Sequence, residues 1–221
     1  MRRAKRLPLE ELTPYLLEPS EPSARLNWQQ VFSNGRPVEL EVGFGKGLFL
    51  LNACQACPEV NFLGIEILRK YQLYAATRFA KREVKNVRLV KADAREFLRY
   101  SVADESFQAI HVYFPDPWWK KRHLKRRLFT ADFAVQCERT LQIGGRLYVI
   151  TDVSDYFAVI AELLEQHTRL KLSPASADAT RPAFNPNEPA HDLDYLTNFE
   201  RKFRKEGRAI YRGVYEKAQE E

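Results

Sequence analysis

What this chain has little of narrows its class. Glycine occurs only 9 times in 221 residues, which excludes a collagen-like or glycine-rich low-complexity protein. With 45% hydrophobic and 29% charged residues, the composition is that of a folded globular chain, neither disordered nor prion-like. No apolar run approaches the roughly 18–20 residues that cross a bilayer, so no membrane partner is expected. Behind the basic start Met1-Arg-Arg-Ala-Lys-Arg6 there is no apolar stretch, so it does not read as a secretory signal, and a cytoplasmic location is expected. Three cysteines, an odd number, argue against a disulfide framework. Cys54-Gln-Ala-Cys57 has the spacing of a redox or zinc half-site but lacks a second half. His111, His123, His167 and His191 are scattered without ligand spacing, so the cysteine pair reads as small core residues and no metal is expected.

Negative charge is also in the minority. The net charge of +6 is modest, but the cations are clustered. Arg2, Arg3, Lys5 and Arg6 form one group, Lys120, Lys121, Arg122, Lys125, Arg126 and Arg127 a second, and Arg201, Lys202, Arg204, Lys205, Arg208 and Arg212 a third. A single run of this kind is usually a solvated face, whereas three in one α/β chain point to a polyanion such as nucleic acid.

Residues 1–34 carry Pro8, Pro14, Pro19 and Pro22 with no sustained apolar period, and read as an arm with one short helix over 27–32. From residue 35 onward the pattern is regular and reads as a single domain to residue 221. Strands are expected over 38–42, 61–65, 87–90, 109–113 and 146–150, alternating with helices over 46–57, 68–83, 94–100, 124–141 and 156–166. This alternation means βαβ units and a largely parallel sheet. Beyond 169–172, the stretch Pro174–His191 holds four prolines and reads as a long surface loop. A helix over 195–206 ending at Gly207 and a final strand over 209–215 complete the chain.

The chemistry sits at strand ends. Glu41-Val-Gly-Phe-Gly-Lys-Gly47 falls at the first strand-to-helix junction, where Gly43, Gly45 and Gly47 let the backbone turn sharply and a ligand approach. The spacing is G-x-G-x-G rather than the phosphate-binding G-x-G-x-x-G, and Glu41 would repel a pyrophosphate. It would attract a cation, and S-adenosylmethionine carries both a sulfonium and an ammonium. Glu66 ends the second strand, about 20 residues on, where an acid accepts hydrogen bonds from ribose hydroxyls. Asp93 follows the third strand, where it either caps the next helix or meets the adenine edge. Asp116 follows the fourth, so all four acids lie at carboxyl ends of strands, where open α/β sheets hold their ligands.

Phe114-Pro-Asp-Pro-Trp-Trp-Lys-Lys-Arg-His-Leu-Lys-Arg-Arg-Leu128 is the most specific segment. Prolines stiffen it, Trp118 and Trp119 offer flat apolar faces, and the cations after them suit a base and its phosphates. Each tryptophan taken singly could equally pack on the sheet. Thr197-x-x-Glu200 satisfies the capping box of a helix start, a role compatible with presenting backbone N–H groups to a ligand.

From about residue 36 onward, the sequence resembles the bacterial tRNA (guanine-N7)-methyltransferases. The resemblance rests on Glu41-Val-Gly-Phe-Gly-x-Gly47, Gly64-Ile-Glu66, Pro115-Asp-Pro-Trp118, Lys120-Lys-Arg-His123, Lys125-Arg-Arg-Leu128, Thr151-Asp152 and Thr197-Asn-Phe-Glu-Arg-Lys-Phe203. It implies a Rossmann-like class I S-adenosylmethionine-dependent methyltransferase, with a seven-stranded mixed sheet, helices on both faces and an antiparallel last strand. Glu41, Glu66, Asp93 and Asp116 then match cofactor-contacting acids, with Asp116 also the catalytic residue. Lys120, Asp152, Thr197, Asn198, Phe199 and Glu200 match substrate contacts, and Arg122, His123, Lys125, Arg126 and Arg127 fall in an RNA-interacting segment. Trp119 stands where many members have a second proline, and Lys46 where methionine is common. The implied activity is methyl transfer from S-adenosylmethionine to N7 of a guanine in the variable loop of tRNA. A methyltransferase of another substrate, or a silent RNA-binding partner of the same fold, are the rival readings; monomer and homodimer both fit.

Overall fold

The computed structural model describes residues 6–18, 25–173 and 197–219. Seven strands form one sheet in the order β3-β2-β1-β4-β5-β7-β6, with β1 Val38–Val42, β2 Asn61–Glu66, β3 Val87–Lys91, β4 Phe107–Tyr113, β5 Leu141–Thr151, β6 Lys171–Leu172 and β7 Tyr211–Glu216. β1 to β5 are mutually parallel, and β7 runs antiparallel to both β5 and β6. The strand order reverses between β1 and β4, and such a switch point opens a crevice at the carboxyl ends of the strands.

Helices cover both faces. Preceding the sheet are α1 Leu9–Leu12 and α2 Trp28–Phe32; α3 Leu48–Ala56, α4 Arg69–Ala80, α5 Ala94–Ser101, α6 Ala131–Thr140, α7 Ser154–His167 and α8 Asn198–Lys205 follow in turn. One face of the sheet packs with Phe97, Phe133, Tyr156 and Ile160 of α5, α6 and α7, the other with Leu50, Leu51, Ala76 and Phe79 of α3 and α4. Because β1 and β2 are buried on both faces, their side chains are buried at every position. Cys54 and Cys57 lie within the second apolar cluster, as small core residues.

Residues 6–18 do more than trail from the domain. Leu12 is fully buried, and Leu17 donates its N–H to the Leu89 carbonyl at 2.9 Å, which covers the outer edge of β3. The short α1 carries no strong signal in its four residues, and is held by tertiary burial of Leu12.

The expected helix over 124–141 needs correction. Lys121–Arg126 forms a 3-10 turn, the chain then extends, and the helix begins only at Ala131 with the Thr130 side chain accepting from Phe133 N–H. Local cation-rich helix propensity loses to that cap and to burial of Phe129 at 2% exposure, which anchors the extended link. The loop expected over 174–191, the start of the helix expected over 195–206, Arg2, Arg3 and Lys5 lie outside the described residues.

Candidate active site

Glu39 and Glu41 alternate with Val38, Leu40 and Val42 along β1, so both point to the face covered by α3. Glu41 is 3% exposed, accepts a hydrogen bond from the Leu50 backbone N–H in the first turn of α3, and leaves Oε2 without a partner. Burial first, and the neighbouring Glu66 carboxylate second, push its pKa well above the usual carboxylate range, against the Leu50 N–H. Glu66 is itself buried; Oε2 accepts from Gly45 N–H and Oε1 from Leu68 N–H, each at 3.0 Å. The glycine turn between them has two kinds of glycine. Gly43 and Gly45 adopt positive φ with open space where a Cβ would stand, whereas a Cβ on Gly47 would meet Ala75 at 3.0 Å and Phe79 at 3.1 Å. Gly47 therefore serves close packing of α3 on α4, and the open ground beside the crevice belongs to Gly43 and Gly45.

Asp93 takes the capping role. Its Oδ1 accepts from Arg95 N–H at 3.0 Å, and Arg95 Nη2 reaches Oδ2 at 2.7 Å, which holds the Asp93 carboxyl below the usual range. Asp116 follows β4 on an exposed loop, across the switch point from Glu41.

That loop is bracketed by strain. Phe114 and Trp118 both have positive φ, at 52° and 41°, an unusual conformation for bulky residues that persists only when the surroundings impose it. Phe114 continues the ladder through its N–H to the Ile150 carbonyl at 2.7 Å, and its ring packs on Phe203 and Phe199 of α8, with centroids 5.4 and 6.1 Å away. Trp118 meets His123 edge-on at 5.5 Å and the Arg126 guanidinium at 5.2 Å. Lys120, Lys121, Arg122 and Lys125 project into solvent from the same turn.

Three segments far apart in sequence thus converge on the carboxyl edge of β4 and β5. Asp152, just past β5, pairs with Arg208, whose guanidinium lies 4.2 Å from the Phe203 ring centroid. Thr197 Oγ1 accepts from Glu200 N–H at 3.0 Å, capping α8, and Phe199 stands 54% exposed beside the Asp116 loop. Glu200 is buried, and its Oε1 receives Arg204 at 2.9 Å and Arg212 at 2.7 Å. Arg204, Arg208 and Arg212 therefore point inward to carboxylates, so half of the C-terminal basic cluster is fold rather than polyanion surface. Asn198 begins α8 in the same corner.

Beneath Glu41 lies a buried polar chain that the sequence signals only weakly. His111 Nε2 lies 2.9 Å from Glu39 Oε2 and Nδ1 lies 2.7 Å from the Tyr113 hydroxyl, while Gln108 donates to Glu39 Oε1 at 2.8 Å. The imidazole thus bridges Glu39 and Tyr113 through its two ring nitrogens. The signal for it was the acid at position 39 inside a strand that must be buried on both faces.

The fold is that of the Rossmann-like methyltransferases. A family described as "Putative methyltransferase" matches residues 35–213. A tRNA (guanine-N(7)-)-methyltransferase of Rhodopirellula baltica is 42% identical, over 95% of this chain and 77% of that protein. One of Geobacter metallireducens is 32% identical over 96% and 97%, respectively. The chain belongs to this methyltransferase family. In fold alone it is similar to the aminoglycoside resistance methyltransferase NpmB1, with a TM-score of 0.58 at 16% identity over 86% of this chain and 92% of that one.

Proposed function

We propose that this protein transfers the methyl group of S-adenosylmethionine to N7 of a guanine in tRNA, within the variable loop. Support comes from the activity named for its relatives and, above all, from one juxtaposition: a buried acidic cradle and an acid-bearing, cation-rich loop face each other across the switch point. The cradle suits the cofactor. Glu41 Oε2 is a buried acceptor with no partner, and Gly43 and Gly45 leave open space beside it, which fits a ligand bearing positive charge and a bulky body. Glu41 and Glu66 would hold it, with Gly47 setting the turn and Asp93 fixing the start of α5 nearby. When bound, this cofactor supplies an electrophilic methyl group.

Guanine N7 carries a lone pair and no proton, so the protein needs no general base. Its work is orientation and charge balance as the base becomes cationic. Asp116 accepts hydrogen bonds from the guanine edge and offsets the charge that develops. Lys120, Asp152 and the Thr197–Glu200 corner shape the nucleotide site, and Phe199 offers a stacking face. Arg122, His123, Lys125 and Arg126 line the approach of the RNA, whose phosphates Arg122 and Lys125 neutralise. The reaction belongs to the cytoplasm, where tRNA is found.

Incubation of the purified protein with tRNA lacking 7-methylguanine and with methyl-labelled cofactor tests the proposal. Label is expected on guanine N7, located by chain cleavage at 7-methylguanosine. Label at another atom, or none, refutes it.

A further inference from the structure

Arg127 closes the cationic run that suggests phosphate binding, yet its surroundings differ from those of its neighbours. Its Nε donates to the Pro117 carbonyl at 2.7 Å, one residue from Asp116. The guanidinium lies 5.4 Å from the Trp119 ring centroid and 5.1 Å from that of Tyr156, and these two rings meet edge-on at 6.5 Å. Tyr156 is fully buried on α7, a fixed wall. The guanidinium is therefore a bolt between that wall, an exposed tryptophan and the backbone after Asp116. The charges that act on the Tyr156 hydroxyl, which burial pushes up to about 12, are those of Arg127 and Asp116, so all three groups share one corner.

Something must hold this loop. Phe114 and Trp118 bracket Pro115-Asp116-Pro117 in strained conformations, and Phe114 is clamped by Phe203 and by the β5 ladder. At the other end, Trp118 is touched by His123 and Arg126, both on the exposed turn itself. Arg127 ties that end to the core at Tyr156, alongside the edge-on contact of Trp119 with the same ring and the Arg95 bond to the Lys125 carbonyl at 3.4 Å.

Resting on the proposed methyl transfer, we infer that Arg127 is a positioning residue: it bolts the loop through Pro117 and Trp119 to Tyr156 and thereby sets the Asp116 carboxylate, instead of neutralising a tRNA phosphate. The role needs a planar fork that can stack and donate in plane, so lysine cannot replace it. A phosphate contact needs charge alone, so lysine would replace it in large part.

The test compares Arg127→Ala, Arg127→Lys and Lys121→Ala. At saturating tRNA and cofactor, single-turnover methyl transfer should fall about 10-fold or more in both Arg127 variants, since small misplacements of reacting groups cost up to about 10²-fold. The log–log salt slope of tRNA binding should stay at the parent value in Arg127→Lys. In Arg127→Ala it should change by less than the Lys121→Ala slope, which loses up to about one unit. A second readout is independent of activity. In a Trp28→Phe background Trp118 and Trp119 are the remaining tryptophans, and acrylamide should quench selectively excited tryptophan emission more strongly in both Arg127 variants. A parent-like rate with recovery of tRNA affinity by lysine overturns the inference, as does unchanged quenching. If the parent itself fails to methylate N7, the functional proposal falls, and the quenching arm still decides whether Arg127 holds the loop.

Discussion

The two banks of the crevice are built on opposite terms. On the β1 and β2 side, Glu41 and Glu66 are 3% and 8% exposed and hold backbone amides of the glycine turn and of α3, so the groups proposed to hold the cofactor are also part of the core. On the β4 side, Asp116 rides an exposed loop kept in a strained shape by rings and guanidinium groups. A buried bank cannot lose a side chain without loosening the fold, whereas an exposed loop can lose one and keep the fold. The difference separates functional from structural effects by experiment.

The largest effect is expected at Asp116. If its carboxylate orients guanine and offsets the charge gained at N7, Asp116→Ala should slow single-turnover transfer roughly 10²-fold, about 2.7 kcal/mol in the barrier. Asn should rescue in part, because an amide oxygen still accepts a hydrogen bond but carries no charge. Thermal stability should match the parent in both, as expected for an exposed side chain. Parent-like rates would reduce Asp116 to a spacer between Pro115 and Pro117.

Glu66→Ala should show the opposite signature. Cofactor binding should weaken by about 1–3 kcal/mol, and the fold should lose stability on the same scale, because Gly45 and Leu68 N–H groups lose their acceptor. Calorimetry and thermal melting measure the two. A fall in affinity with unchanged melting would show that the glycine turn holds without Glu66, and would break the contrast between the banks.

How far the sequence spoke differs between the banks as well. Alternating strands and helices made β1 to β5 legible, because period and turn residues are local signals. The convergence of Asp116, Asp152 and Thr197–Glu200 came from family resemblance; no spacing along the chain encodes that Phe114 packs on Phe203. Asp93 shows a case where two roles shared one sequence pattern, and the Arg95 fork shows that capping and ion pairing engage both its oxygens. The cation run at 120–127 looks uniform in sequence, although Arg126 and Arg127 stack on tryptophans. Burial of a cation against a ring depends on tertiary approach, so charge patterning alone cannot separate it from a solvated face. The helix expected to start at 124 failed for the same reason, since Phe129 is claimed by the core.

A smaller effect concerns pH. Burial and Glu66 raise the Glu41 pKa in the ligand-free protein, so a proton must leave before the carboxylate can pair with a cation. Cofactor affinity should therefore rise with pH, by up to about tenfold per unit, until Glu41 is ionised. The sign for stability is the reverse. A carboxyl raised above its unfolded value contributes stability that is complete below the unfolded pKa and is lost as pH rises through the folded one. Glu41→Gln should flatten both dependences; persistence of the affinity slope in that variant would assign the proton to another group.

The smallest expected effect tests the outermost surface. Lys120, Lys121 and Lys125 extend from the turn after the tryptophans, exposed, and their ammonium groups have no hydrogen bond or ion pair with any described residue. Phosphate contacts made by such groups release counterions, so each replacement by alanine should lower the log–log salt slope of tRNA binding by up to about one unit. Lys120 also stands next to the loop that carries Asp116, so its variant should raise the apparent tRNA KM more than the other two. Rates at saturating tRNA should hold for Lys121→Ala and Lys125→Ala, because neither touches the bolt formed by Arg127, Trp119 and Tyr156. An unaltered slope in the triple variant would mean that the turn faces away from the RNA, and the polyanion surface would then lie elsewhere on the molecule.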